Sequence, residues 1–176
     1  MHNTDESSRR SIRLNGYDYS RSGCYYFTVC AQDRIHRFGE VVSATVRLNA
    51  AGRMVVAVWE SLPARFPTLD LDTFVVMPDH LHDILWIQHP EVADSRVVGV
   101  SLGSVVGAFK SLVTTEYMAG VRDGRWKPFS GKLFERNYYE HIVRTDESLE
   151  LIREYILTNP ARWGRGPEAS SAAGDP

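Results

Sequence analysis

Two histidines, His80 and His82, are the residues whose types and spacing are best suited to chemistry. They follow the apolar run Val75-Val76-Met77, which predicts a β-strand. Side chains alternate between the faces of a strand, so both imidazoles are expected to point the same way. Two imidazoles on one rigid surface are half of a divalent-metal site. The alternative interpretation is a pair of ordinary strand histidines, hydrogen-bonded or half exposed.

A helix predicted near the C-terminus carries candidates for the missing groups, Tyr155 and Asn159. These residues are four apart, so their side chains lie one turn apart on one flank of the helix. If that flank faces the histidines, the Asn159 amide oxygen is a third metal ligand and the Tyr155 phenol a nucleophile. Equally, Tyr155 is an ordinary packing aromatic, and Asn159 before Pro160 caps the helix C-terminus.

Together these residues resemble the single-tyrosine HUH transposases, and among them the REP-associated tyrosine transposases, relatives of small insertion-sequence transposases. The similarity begins with His80-Leu81-His82 after Val-Val-Met-Pro, and with Tyr155-Ile156 followed by Asn159-Pro160. Three further blocks match: Arg9-Arg10-Ser11-Ile12-Arg13-Leu14 with Gly16-Tyr17-Asp18-Tyr19, Phe109-Lys110-Ser111, and Arg136-Asn137-Tyr138-Tyr139-Glu140-His141. The resemblance spans about residues 9–163.

The resemblance implies a metal-dependent single-stranded DNA endonuclease and strand transferase that acts on REP-like hairpin DNA. It assigns His80, His82 and Asn159 as ligands of Mg²⁺ or Mn²⁺, and Tyr155 as the nucleophile that forms a 5′-phosphotyrosine. It also implies a ferredoxin-like antiparallel sheet with helices packed on one side, of the HUH endonuclease type. Two departures stand beside the histidines: Asp79, where Asn is common, and Asp83, which is expected to face away from the metal.

The elements needed to position these residues alternate in a β-β-α-β-β-α-β-α order, which favours an α+β fold built on an antiparallel sheet. The predicted strands cover residues 24–31, 41–48, 73–77 and 80–87, with an extended segment within 133–143. The predicted helices cover 53–62, closed by Pro63 and Pro67, then 101 to about 120, and 145 to about 159. A bulge or strand edge is expected at Pro78, just before the histidines.

Composition limits the function less than the motifs do. A chain of 176 residues with 43% hydrophobic content predicts one domain, placed at 9–164, with disordered segments at 1–8 and 165–176. Cys24 and Cys30 are too far apart on one strand to form a disulfide. The sequence shows neither a signal peptide nor a long apolar run, which predicts a cytoplasmic protein with no membrane partner.

The net charge of −2 gives no general argument for nucleic-acid binding. The expected DNA contacts therefore rest on local charge and on the resemblance: Arg9, Arg10, Arg13, Lys110, Arg136, Arg144 and Arg153. Tyr138 and Tyr139 are rival nucleophiles by composition. A homodimer is possible by resemblance, because small insertion-sequence relatives act as dimers whereas REP-associated relatives can act as monomers.

Two other functions stay open. One is a non-catalytic, nucleic-acid-binding ferredoxin-like module or regulator. The other is a metal phosphodiesterase that uses water as its nucleophile, with Tyr155 in a structural role.

Overall fold

Six strands and three α-helices form the described part of the chain. In the computed structural model this part comprises residues 18–19, 21–88 and 100–164. The elements are β1 (Gly23–Cys30), β2 (Gly39–Val42), β3 (Thr45–Leu48), α1 (Ala50–Arg65), β4 (Leu69–Val76), β5 (His80–Ile87), α2 (Leu102–Arg122), β6 (Tyr139–Val143) and α3 (Asp146–Arg162). Residues 1–8, 165–176, Arg9, Arg10 and Arg13 lie outside the described residues, so the predictions made for them are not addressed by the structure.

The main sheet has four antiparallel strands in the order β4-β5-β1-β6. Strand β1 is central, and its register with β5 places Thr28 opposite His82 and Cys30 opposite His80. Strands β2 and β3 form a separate two-stranded ribbon. The α+β class with an antiparallel sheet is confirmed.

The alternating side chains of β1 divide the hydrophobic residues into two clusters. Phe27 belongs to the larger cluster, where it is buried with Trp59 of α1 and Phe109 of α2. Tyr26 points to the opposite face and packs in the smaller cluster with Ile156 of α3. Helices α1 and α2 therefore cover one side of the sheet, whereas α3 lies on the side that carries the histidines.

The predicted strand over 41–48 is wrong, because the segment is a hairpin of two short strands. Ser43 and Ala44 form its two-residue turn with φ angles of 50° and 62°. Such turns need positive φ at both central positions, which Asn-Gly usually supplies. A Ser-Ala pair carries no such signal, so the sequence pattern concealed the turn.

The two helix ends that were predicted from prolines are also wrong, because both helices continue past the proline. Helix α1 begins at Ala50, with the Asn49 side chain accepting a 2.9 Å hydrogen bond from the Gly52 N–H, and it continues past Pro63 to Arg65. Helix α3 continues past Pro160 to Arg162. Each proline lies in the last turn, where it removes one backbone hydrogen bond without preventing two further helical residues.

Pro78 lies in the turn between β4 and β5, so a strand end at this position is confirmed. The Met77 N–H closes the turn by donating to the His80 carbonyl at 2.8 Å. The bulge lies elsewhere, at a register shift in β4 between Leu71 and Phe74. None of the helices in the described ranges combines the length and the hydropathy that a membrane span requires.

Candidate functional site

His80 and His82 lie side by side on one face of β5, as their spacing predicted. Both residues are buried, with 5% of each exposed. Their Nε2 atoms are 3.0 Å apart, and their ring centres are 4.6 Å apart. The two imidazoles therefore present the same ring nitrogen to each other, at hydrogen-bond distance.

Strand β1 supplies the groups that hold His82. The Nδ1 atom of His82 lies 2.9 Å from the Tyr26 hydroxyl and 2.8 Å from the Thr28 hydroxyl. Hydroxyls both donate and accept, so these partners serve either neutral tautomer of the ring. Burial, followed by the charges of His80 and Arg34, holds the pKa of His82 well below its usual value. His82 is thus kept neutral, which is the form that binds a metal.

A carboxylate holds His80 from the opposite direction. Asp79 Oδ1 lies 2.5 Å from His80 Nδ1, and Asp79 Oδ2 lies 3.4 Å from Arg34 Nε. Burial acts to raise the pKa of Asp79, but its hydrogen bond to His80 and the charges of His80 and Arg34 lower it overall. Asp79 is therefore an ionised acceptor at the back of the ring.

Helix α3 brings Tyr155 to the histidines. The Tyr155 ring makes an edge contact with His82, with ring centres 5.3 Å apart, and a second with Tyr26 at 6.5 Å. The guanidinium carbon of Arg162 lies 5.9 Å from the centre of the Tyr155 ring. The phenol is therefore next to one candidate ligand and close to a positive charge.

The same flank of α3 continues past Asn159 to Trp163. The Trp163 ring stacks on His80, with ring centres 5.7 Å apart and planes 28° apart. Asn159 is partly buried and lies four residues after Tyr155 and four residues before Trp163. It therefore lies between the residue that contacts His82 and the residue that contacts His80. The alternative that Asn159 caps the helix is wrong, because α3 ends at Arg162.

The residues present fit a divalent cation. Two nitrogens that are each ~2.1 Å from one ion, at a right angle, stand ~3.0 Å apart. The two Nε2 atoms have this separation. The described residues contain no group of three His, Cys, Asp or Glu side chains that could hold an ion. A third protein ligand would therefore come from another type of side chain, such as the amide of Asn159.

The residues expected to contact DNA fall into two groups. Arg136 and Arg144 are exposed. Lys110 instead donates to the backbone carbonyls of Glu135, Arg136 and Asn137 at 3.0, 3.3 and 3.4 Å. Burial lowers the pKa of Lys110 to about 8. Lys110 thus holds the loop before β6, and a role on DNA stays a prediction.

Arg153 has partners within the protein as well. Its Nε and Nη2 atoms donate to the two carboxylate oxygens of Asp72 at 2.9 and 2.5 Å, and Nη1 donates to Glu150 at 2.6 Å. The pair with Asp72 joins α3 to β4 at the bulge. A phosphate contact by Arg153 would have to compete with these bonds.

The rival tyrosines differ in position. Tyr138 packs against Phe27 on the face covered by α1 and α2, and Lys110 Nζ lies 5.3 Å from its ring centre. Tyr139 is on the histidine side, with its ring centre 5.9 Å from that of Tyr26. The rings of Tyr155 and Tyr26 both contact His82.

The residues that the sequence interpretation missed are Tyr26, Thr28, Arg34 and Trp163. Trp163 had a usable signal, since it continues the four-residue spacing of Tyr155 and Asn159. Tyr26 and Thr28 share a face of β1 by alternation, but only the strand register places that face against His82. No local pattern carries that information.

Two curated proteins are similar in sequence to this chain. No protein-family model matches the chain. A Haemophilus influenzae protein of uncharacterised function is 35% identical over 175 residues, covering 88% of this chain and 89% of the relative. A second Haemophilus influenzae protein, provisionally named a REP-associated tyrosine transposase, is 26% identical over 150 residues, covering 84% of this chain and 75% of the relative.

A solved structure shares the fold. It is a REP-associated tyrosine transposase bound to a REP hairpin, with a TM-score of 0.60 and 18% sequence identity. The alignment covers 86% of this chain and 74% of that one. The chain is therefore similar in sequence to a provisionally named REP-associated tyrosine transposase, and similar in fold to a solved one.

Proposed function

We propose that this protein cleaves and rejoins single-stranded or hairpin DNA by using Tyr155 as a nucleophile beside a metal held by His80 and His82. The observation that carries the proposal is the contact of the Tyr155 ring with His82, whose Nε2 lies 3.0 Å from that of His80. The similarity to REP-associated tyrosine transposases supports an enzyme of this kind.

His80 and His82 would hold Mg²⁺ or Mn²⁺ through Nε2, with Asn159 as the third protein ligand. When bound, the cation would polarise and orient the scissile phosphate. Asp79 and the hydroxyls of Tyr26 and Thr28 keep the two rings oriented for this task. Trp163 packs over His80 and limits the access of water to that ring.

In the cleavage step, the phenolic oxygen of Tyr155 attacks the phosphorus and loses its proton to solvent. The bond between phosphorus and the 3′ oxygen breaks, and that oxygen takes a proton to become a free 3′-hydroxyl. A phenol with a pKa of about 10 is a poor nucleophile without assistance.

In the rejoining step, a 3′-hydroxyl attacks the phosphotyrosine and releases the Tyr155 phenol. One phosphodiester replaces another, so strand transfer needs no ATP. The solved structural neighbour is bound to a REP hairpin, and we propose hairpin DNA as the substrate class of this protein as well. Arg136 and Arg144 are the exposed described residues to which we assign backbone contacts.

The test is a denaturing gel of the full-length protein incubated with Mn²⁺ and a labelled REP-like hairpin oligonucleotide. The wild-type protein is expected to give a denaturant-resistant protein–DNA adduct, and Tyr155→Phe is expected to abolish it. Tyr139→Phe is the matched control, because Tyr139 lies on the same face of the sheet, beside Tyr26; its adduct should persist. Cleavage that survives in Tyr155→Phe would support a water-using phosphodiesterase. DNA binding without any cleavage by the wild type would support a non-catalytic module.

A further inference from the structure

Asp79 is a buried acid whose two carboxylate oxygens both have partners. Only 1% of the residue is exposed. Oδ1 lies 2.5 Å from His80 Nδ1, and Oδ2 lies 3.4 Å from Arg34 Nε. A buried carboxylate is costly unless it is paired and hydrogen-bonded. Both oxygens of Asp79 are therefore engaged within the protein, on the Nδ1 side of His80.

The backbone around Asp79 is fixed by hydrogen bonds from neighbouring segments. Its carbonyl accepts from the Ala31 N–H at 2.7 Å. The preceding carbonyl, of Pro78, accepts from the N–H groups of Arg37 and Phe38 at 2.8 and 3.0 Å. The carboxylate is therefore presented to His80 by a turn that has little freedom to move.

Arg34 reaches Asp79 from an unusual backbone conformation. Arg34 and the preceding Asp33 have φ angles of 53° and 58°, in the left-handed region that non-glycine residues rarely adopt. Such residues persist where the surroundings fix them. Here Arg34 Nη1 donates to the Sγ atom of Cys30 at 2.8 Å, and Cys30 is the cross-strand partner of His80. The guanidinium is thus held beside the carboxylate.

We infer that Asp79, supported by Arg34, is a positioning residue that sets the tautomer and orientation of His80. Accepting the Nδ1–H of His80 leaves the lone pair on Nε2, the nitrogen that lies 3.0 Å from His82 Nε2. Carboxylates behind ligating histidines commonly act in this way. The inference rests on the proposed metal site for its purpose, but the tautomer itself is a property of the metal-free protein.

Two substitutions separate the hydrogen bond from the charge. Asp79→Asn keeps an oxygen acceptor for the Nδ1–H but removes the charge. Asp79→Leu removes both. Asp83→Asn is the matched control, because Asp83 lies in the strand that carries His80 but is paired with Phe27, on the opposite side of the sheet.

The experiment measures imidazole ¹⁵N chemical shifts of the full-length, metal-free protein at pH 8, followed by calorimetric titration with Mn²⁺. We expect the Nδ1–H tautomer of His80 in the wild type, in Asp79→Asn and in Asp83→Asn. We expect the Nε2–H tautomer to become populated in Asp79→Leu. Loss of such a carboxylate partner lowers metal affinity ~10–100-fold, so Asp79→Leu should bind Mn²⁺ that much more weakly.

Each result has one meaning. An unchanged His80 tautomer in Asp79→Leu would overturn the inference. If that variant does not fold, the wild type and Asp79→Asn decide, and an Nε2–H tautomer of His80 in both proteins would overturn the inference. If the wild type binds no Mn²⁺ but the tautomer responds as expected, the proposed metal function fails while the positioning role stands.

Discussion

At the scale of single residues, the two acids next to the histidines have opposite environments. Asp79 is ionised between His80 and Arg34. Asp83 is fully buried and, among the described residues, has no hydrogen-bond partner for either oxygen. Burial raises the pKa of Asp83 well above its usual value. Strand alternation was enough to predict that Asp83 faces away from the histidines, but only the packing shows that it lies in the core.

Asp83→Asn should stabilise the protein at neutral pH. Above an unfolded pKa of ~3.9, the carboxyl ionises in the unfolded chain but stays protonated when folded, so stability falls as pH rises towards the folded pKa. The Asn variant lacks this loss, and we expect its free energy of unfolding to exceed that of the wild type by ~1 kcal/mol or more at pH 7.

Urea denaturation at pH 7 and at pH 4.5 measures this effect, and the gain should be smaller at pH 4.5. Asp70→Asn is the control, because Asp70 is exposed. An Asp83→Asn protein that is no more stable than the wild type at pH 7 would contradict the prediction.

At the scale of elements, the position of α3 decides whether Tyr155 can act. The Asp72–Arg153 pair ties α3 to the β4 bulge two residues before Tyr155. The spacing within α3 and the alternation within β5 could be predicted, because each depends on a local period. The bulge in β4 that carries Asp72 could not be predicted, because it arises from the pairing between strands.

We expect Asp72→Asn and Arg153→Gln each to slow adduct formation, and the double variant to lose little more than either single variant. A broken tie lets α3 shift, and residues in one pair are not additive. Hairpin affinity and its salt dependence should stay unchanged, as measured by fluorescence anisotropy. If Arg153 contacts a phosphate instead, Arg153→Gln alone would lower the affinity and reduce the salt slope by ~1.

The same pair predicts a response to acid. The hydrogen bond from Arg153, partly opposed by burial and aided by Trp86 and Thr73, holds the pKa of Asp72 well below its usual range. The ionised Asp72 carboxylate contributes fully to stability above its unfolded pKa of ~3.9, and this contribution is lost as pH falls below that value. Asp72→Asn should therefore lose less stability than the wild type between pH 5 and pH 3, as measured by urea denaturation. An equal loss in both proteins would contradict this.

At the scale of the whole molecule, the sheet separates a structural side from a reactive side. The class of fold could be predicted from the order of elements. The assignment of α3 to the histidine side required the two clusters, in which Phe27 and Tyr26 face opposite ways. The β2–β3 ribbon was missed because the Ser43-Ala44 turn has no typical turn residues.

DNA binding should depend on the exposed arginines at either end of β6. Arg136→Gln and Arg144→Gln should each weaken hairpin binding and reduce the slope of log affinity against log salt by ~1. Arg125→Gln is the charge-matched control, because Arg125 follows α2 and pairs with Asp123. Equal effects of all three substitutions would indicate general electrostatic attraction and contradict a located contact surface.

The central claim, that Tyr155 carries the DNA, has a direct test in mass spectrometry of the adduct after nuclease trimming and tryptic digestion. Cleavage after arginine places Tyr155 alone among tyrosines in the peptide 154–162, and places Tyr138 and Tyr139 together in the peptide 137–144. We predict a nucleotide attached through its 5′-phosphate to peptide 154–162. A nucleotide on peptide 137–144, or a 3′-phosphate linkage, would contradict the account.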